Sequence, residues 1–106
     1  MPIIELLYFD GCPSWKRAWN DLGEVLVASR IDATVHVRNI DDLPDDERHG
    51  FAGSPTIRID GHDLEGYDGP PLYACRRYVD NRGLGWPDPR GLRRAIETAA
   101  GGPSHP

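Results

Sequence analysis

Cysteine and phenylalanine occur only twice each, no basic cluster exceeds a pair of arginines, and no apolar run approaches the ~18 residues a membrane-spanning helix needs. Each scarcity excludes something. A net charge of −5 without a basic run argues against a nucleic-acid or anionic-membrane surface, so neither partner is expected. The pairs Arg76-Arg77 and Arg93-Arg94 are read as solvated faces. Glu5 breaks the only apolar stretch near the N-terminus and no basic segment precedes it, so the expectation is no signal peptide and a cytoplasmic location. With 106 residues there is room for one modest core, which gives a single domain over residues 1–100 and a flexible tail at 101–106. The acidic stretch Asp41, Asp42, Asp45, Asp46 and Glu47 lacks the spacing of a calcium loop and is read as solvated. His36, His49, His62 and His105 show no ligand spacing, and no metal or other cofactor is expected.

What is present is ordered punctuation: twelve glycines and ten prolines mark turns between short periodic segments. Ile3 to Phe9 is nearly continuous apolar sequence of strand length, as for a central strand covered on both faces. From Pro13, Trp15, Trp19, Leu22, Val25 and Leu26 recur at helical spacing up to about Ser29, with the tryptophans directed to the core. Thr34 to Ile40 alternates and is rich in β-branched residues, which predicts a second strand, parallel to the first across a helical crossover. Between Asp45 and His49 a single helical turn is the most the polar sequence supports.

Ser54-Pro55 precedes the alternating strand Thr56 to Ile59, and Asp60-Gly61 signals a tight hairpin turn. The return strand is expected late, at Tyr73 to Val79, after a loop from His62 to Leu72. A final helix starts at Asp88-Pro89, shows its apolar stripe at Leu92, Ala95, Ile96 and Ala99, and stops at Gly101-Gly102-Pro103.

The chemistry concentrates in Tyr8-Phe9-Asp10-Gly11-Cys12-Pro13-Ser14-Trp15, a strand-to-helix turn carrying a thiol. With Pro13 as the first helical residue, Cys12 takes the cap position, where free backbone N–H groups and the helix dipole favour a thiolate. Cys12 is therefore expected to be the more acidic and faster-reacting thiol, below the free value of about 8.5. The second cysteine, Cys75, lies far along the chain, and in a reducing compartment such a pair is more often catalytic, redox-active or metal-binding than a permanent staple. Spacing alone does not choose among these.

The element order and two motifs, Gly11-Cys12-Pro13-Ser14-Trp15 and Gly53-Ser54-Pro55-Thr56, resemble the thioredoxin fold over residues 3 to 100. The implied architecture is α/β: a mixed sheet of about four strands, built as β-α-β, a cis-proline loop, a β-hairpin and a C-terminal helix, with the middle helix reduced. With Ala74-Cys75-Arg76, the motifs are similar to small bacterial thioredoxin-like proteins related to alkylmercury lyases. The resemblance implies a cis Ser54-Pro55 bond facing the thiol, a substrate-binding backbone at Ser54, and a substrate surface formed by Asp10, Pro13, Trp15, Ser54 and Pro55. Trp15 stands where dithiol thioredoxins carry their second cysteine and where alkylmercury lyases carry a proton-donating acid, which leaves Asp10 as the nearest acid.

Three functions follow as expectations. In the first, Cys12 is a low-pKa nucleophile in thiol–disulfide exchange or redox sensing, with Cys75 or an external low-molecular-weight thiol resolving the intermediate, and with a protein or small thiol/disulfide as substrate. In the second, Cys12 and Cys75 bind mercury or another soft metal, with slow or absent organomercurial cleavage. In the third, the scaffold is a non-catalytic binding module.

Overall fold

The computed structural model describes residues 1–101; the expected tail and His105 lie outside the described residues apart from Gly101. Strand β1 (Ile3–Tyr8) leads into helix α1 (Ser14–Ser29) and strand β2 (Thr34–Asn39), and β2 runs parallel to β1 from the pair Ile3 and Thr34 to the pair Tyr8 and Asn39. Two single helical turns, Ile40–Asp42 and Asp45–Glu47, are all the helix found between β2 and β3 (Thr56–Ile59), which runs antiparallel to β1. Asp60 and Gly61, both at positive φ, make the two-residue turn into β4 (His62–Asp63). Helix α2 (Pro89–Ala99) closes the described chain, with the Asp88 side chain accepting from the Arg90 N–H as its cap. The product is an α/β structure: a four-stranded mixed sheet in the order β2-β1-β3-β4 with two helices.

The β1 residues Ile4 and Leu6 pair across to Ile59 and Ile57, and all four point to one face. There Ala18, Leu22 and Val25 of α1 and Leu92 and Ile96 of α2 complete one buried cluster, so both helices cover the same side of the sheet. Among the described residues the other side is covered only at one end, where Leu7 meets Ile40, Leu43 and Phe51. Ile3 remains half exposed and Arg38 approaches Glu5 at 3.9 Å on that open face. The expectation that β1 is covered on both faces is thus corrected: two helical turns are too short to span the sheet.

Two further readings change. Trp19 is largely exposed rather than core, because α1 turns Ala18 and Leu22 inward instead. Residues Tyr73 to Val79 form no strand; the return strand follows the Asp60-Gly61 turn at once, as two-residue turns bring the chain straight back. The alternation in that segment is real, with Arg76 and Tyr78 buried and Arg77 exposed, but its partners are loops, through a parallel bridge between Ser54 and Cys75 and an antiparallel one between Tyr78 and Leu84. Among the described residues no helix is long and apolar enough to cross a membrane.

Because the cluster under the helices carries the packing, Ile57→Ala should cost about 2–5 kcal/mol, whereas Val27→Ala on the exposed side of α1 should stay within ~0.5 kcal/mol. Urea unfolding of the two variants measures both. Equal losses would contradict this division of the core.

Candidate functional site: a disulfide between the α1 turn and a buried strap

At the end of β1 the chain turns through Gly11, at φ 105°, and delivers Cys12 to the start of α1. The helix begins one residue later than the sequence suggests. Pro13 occupies the cap with φ −67° and ψ −9°, and its carbonyl accepts from the Lys16 N–H at 3.0 Å. Cys12 stands immediately before the cap and its residue is only 3% exposed. Among the described residues neither the Ser14 nor the Trp15 N–H has an acceptor, so the electropositive end of α1 keeps two unpaired donors beside this turn.

Cys12 is joined to Cys75 by a disulfide, with the Cα atoms 5.7 Å apart and 63 residues of separation. A cross-link closing a loop of this length removes denatured-state entropy worth about 4 kcal/mol in the chain-entropy treatment. Neither cysteine is free.

Cys75 belongs to a strap, residues 72–78, laid along the Gly53-Ser54-Pro55 loop. The Ser54 N–H donates to Ala74 O at 2.9 Å and the Arg76 N–H donates to Ser54 O at 3.0 Å. The Ser54 hydroxyl accepts from the Phe9 N–H at 3.2 Å, tying the same residue to the end of β1. Ser54-Pro55 is cis, as expected from the motif, and Pro55 is fully buried. At Gly53, with φ 101°, an added Cβ would stand 2.7 Å from Ala74 O, so only glycine lets the strap approach this closely.

Two side chains anchor the strap from beneath. Arg76 reaches Asp63 on β4 through both guanidinium nitrogens, at 2.5 and 2.8 Å, with both side chains almost wholly buried. Its guanidinium also lies 4.3 Å from the Tyr78 ring centre. The Tyr78 hydroxyl donates to Pro55 O at 2.7 Å. Burial opposes ionisation of Asp63, but the Arg76 guanidinium and the Glu65 and Tyr67 N–H groups outweigh it and hold the carboxyl below its ordinary value. Burial raises the Tyr78 hydroxyl far above the ordinary phenol value, so it stays a protonated donor.

The structure therefore brings together Cys12, Cys75 and Ser54. In this disulfide-closed form both main-chain groups of Ser54 are hydrogen-bonded to the strap. Asp10 and Pro13 are exposed at the turn. Trp15 stacks on Tyr8 with ring centres 4.2 Å apart and is partly buried. The roles of Asp63, Arg76 and Tyr78 have no local signal in the sequence: Arg76 is buried on Asp63 rather than solvated with Arg77, and nothing local distinguishes the two arginines before the alternation of the strap is matched to Asp63. Arg77, Arg93 and Arg94 are exposed, as are His36, His49 and His62. Among the described residues no group of three or more His, Cys, Asp or Glu side chains is placed to hold a metal ion.

In comparisons with known proteins, the chain matches no family model, no curated protein and no solved structure.

Two outcomes test the strap. Gly53→Ala should destabilise the protein by about 1–3 kcal/mol, through overpacking against Ala74 and the positive φ. Denaturant midpoints would show it, and an unchanged midpoint would contradict the tight approach. Asp63→Asn should cost about 3–5 kcal/mol at neutral pH, because it leaves the Arg76 charge buried without its partner. Since the folded Asp63 carboxyl lies below its unfolded value of about 4, its contribution is complete above that pH and is lost as pH falls through the folded value. Wild type should therefore lose more stability than Asp63→Asn on acidification below about pH 4.

Proposed function

We propose that the protein is a thioredoxin-like thiol–disulfide exchange protein whose reactive pair is Cys12 and Cys75. One observation carries the reading: the only two cysteines, far apart in sequence, are joined at the start of a helix whose first N–H groups are unoccupied. The strand–helix–strand opening, the Ser54-Pro55 loop beside the cysteine turn, the hairpin and the closing helix support the thioredoxin-like part of it.

In the reduced form the α1 end stabilises negative charge on Cys12, while the anchored strap keeps Cys75 within bonding reach. Preorganisation of this kind makes closure of the pair an intramolecular step. The partner is a thiol or disulfide, small or on a protein, and the pair replaces the two-cysteine motif that Trp15 interrupts. A second reading, capture of a soft ion such as Hg(II) by the reduced pair, rests on the same juxtaposition. Capture alone needs no proton donor; cleavage of an organomercurial would, and there Trp15 is stacked on Tyr8 and offers only an indole N–H, which leaves the exposed Asp10 as the nearest acid.

The test is turnover of a small model disulfide with dithiothreitol as reductant. Wild type should accelerate exchange over buffer, and Cys12→Ser and Cys75→Ser should each lose about 10²-fold or more, since an intramolecular partner is removed. Full activity in both serine variants, or a wild-type disulfide that dithiothreitol leaves intact in the folded protein, would overturn the reading in favour of a permanent staple.

A further inference from the structure

The two halves of the disulfide differ in surroundings. Cys12 is 3% exposed and sits between β1 and the first turn of α1, whereas Cys75, on the strap, is an exposed residue. Ala74 and Arg77 beside it are exposed too, while Arg76 turns inward to Asp63. The loop after the strap closes over the helix start: a Cβ on Gly85 would stand 2.9 Å from the Ser14 Cβ, and Arg17 lies 4.8 Å from the Trp86 ring centre.

Exchange at a disulfide is an in-line displacement, in which the attacking thiolate approaches one sulfur from the side opposite the departing one, and the more acidic thiol leaves faster. Access favours attack on Cys75. The unoccupied Ser14 and Trp15 N–H groups and the α1 dipole favour departure of Cys12. Both preferences select the same direction, although they come from unrelated features of the fold.

We propose that Cys75, not Cys12, is the cysteine that meets the external partner, and that Cys12 is the internal leaving and resolving thiol. The assignment rests on the exchange reading above. In the reducing direction an external thiolate forms a bond to the Cys75 sulfur, the Cys12–Cys75 bond breaks, and its electron pair departs with Cys12 as a thiolate. A second external thiolate then takes the external sulfur from Cys75, giving an external disulfide and the Cys75 thiolate. In the oxidising direction the Cys75 thiolate attacks an external disulfide and expels one thiolate. The Cys12 thiolate next attacks the Cys75 sulfur, reforms the internal bond and expels the second. This reverses the role that the helix-start position alone assigns to Cys12: acidity and access reside on different sulfurs.

The experiment mixes oxidised full-length protein with reduced glutathione, traps the products rapidly with N-ethylmaleimide, and maps them after trypsin digestion. Cleavage after Lys16, Arg58 and Arg76 places Cys12 and Cys75 on separate peptides. The expected product carries glutathione on Cys75 and the maleimide on Cys12, in about tenfold excess over the opposite arrangement. As a second measurement, an aromatic disulfide reagent should react about tenfold faster with Cys75 in Cys12→Ser than with Cys12 in Cys75→Ser, through the difference in access. Glutathione found mainly or equally on Cys12, or the reverse order of reagent rates, overturns the assignment while leaving exchange intact. A disulfide that glutathione and dithiothreitol both fail to open overturns the exchange reading and this assignment together.

Discussion

The bidentate contact between Arg76 and Asp63 anchors the strap that carries Cys75. The strap that contains Cys75 belongs to no strand and is held by isolated bridges, Cys75 to Ser54 and Tyr78 to Leu84, and short extended segments with so few backbone bonds do not hold a position alone. Arg76 follows Cys75 directly, so docking its guanidinium on β4 fixes the preceding cysteine against the α1 turn. A well-packed apolar pair could contribute as much to stability, since desolvation offsets much of the attraction in a buried ion pair. What the fork of Arg76 supplies is direction: two parallel bonds to one carboxylate define an orientation that apolar contact leaves loose.

Around that anchor the main chain is unusually committed. Ser54 spends its N–H and C=O on the strap and its hydroxyl on the end of β1, while Tyr78 satisfies the Pro55 carbonyl. Gly53 permits the approach by having no side chain. Buried polar groups without partners are costly, so each of these bonds is also a constraint on its neighbours. The disulfide is then formed between two segments that are already held, one by β1 and α1 and the other by β4 and the Ser54 loop.

The sheet is built unevenly around this site. Both helices cover one face, and the segment between β2 and β3 supplies only two helical turns on the other, enough for the cluster of Leu7, Ile40, Leu43 and Phe51. The open remainder carries Glu5 and Arg38 rather than a second core. Backbone pairing with β2 and β3 makes β1 central whatever covers its faces, which is why its apolar run suggested more cover than it has.

Local chemistry determined much of this protein before any tertiary contact entered. Asp60-Gly61 signals a tight turn, because Asp and Gly tolerate the positive φ that both positions adopt; Asp88-Pro89 signals a helix start; and the helical spacing of Leu92 and Ile96 places both on one apolar stripe. The placement of Cys12 at the start of α1 and the Ser54-Pro55 motif were likewise visible, since each is encoded in adjacent residues. Tertiary structure alone decided that Cys75 reaches Cys12, that Arg76 is buried while Arg77 is not, and that residues 73–79 bind a loop instead of a strand. Each of those depends on a partner many positions away, Cys12, Asp63 or Ser54. Periodicity reports which side of a segment is buried, but the identity of what covers it is fixed only when the chain is folded.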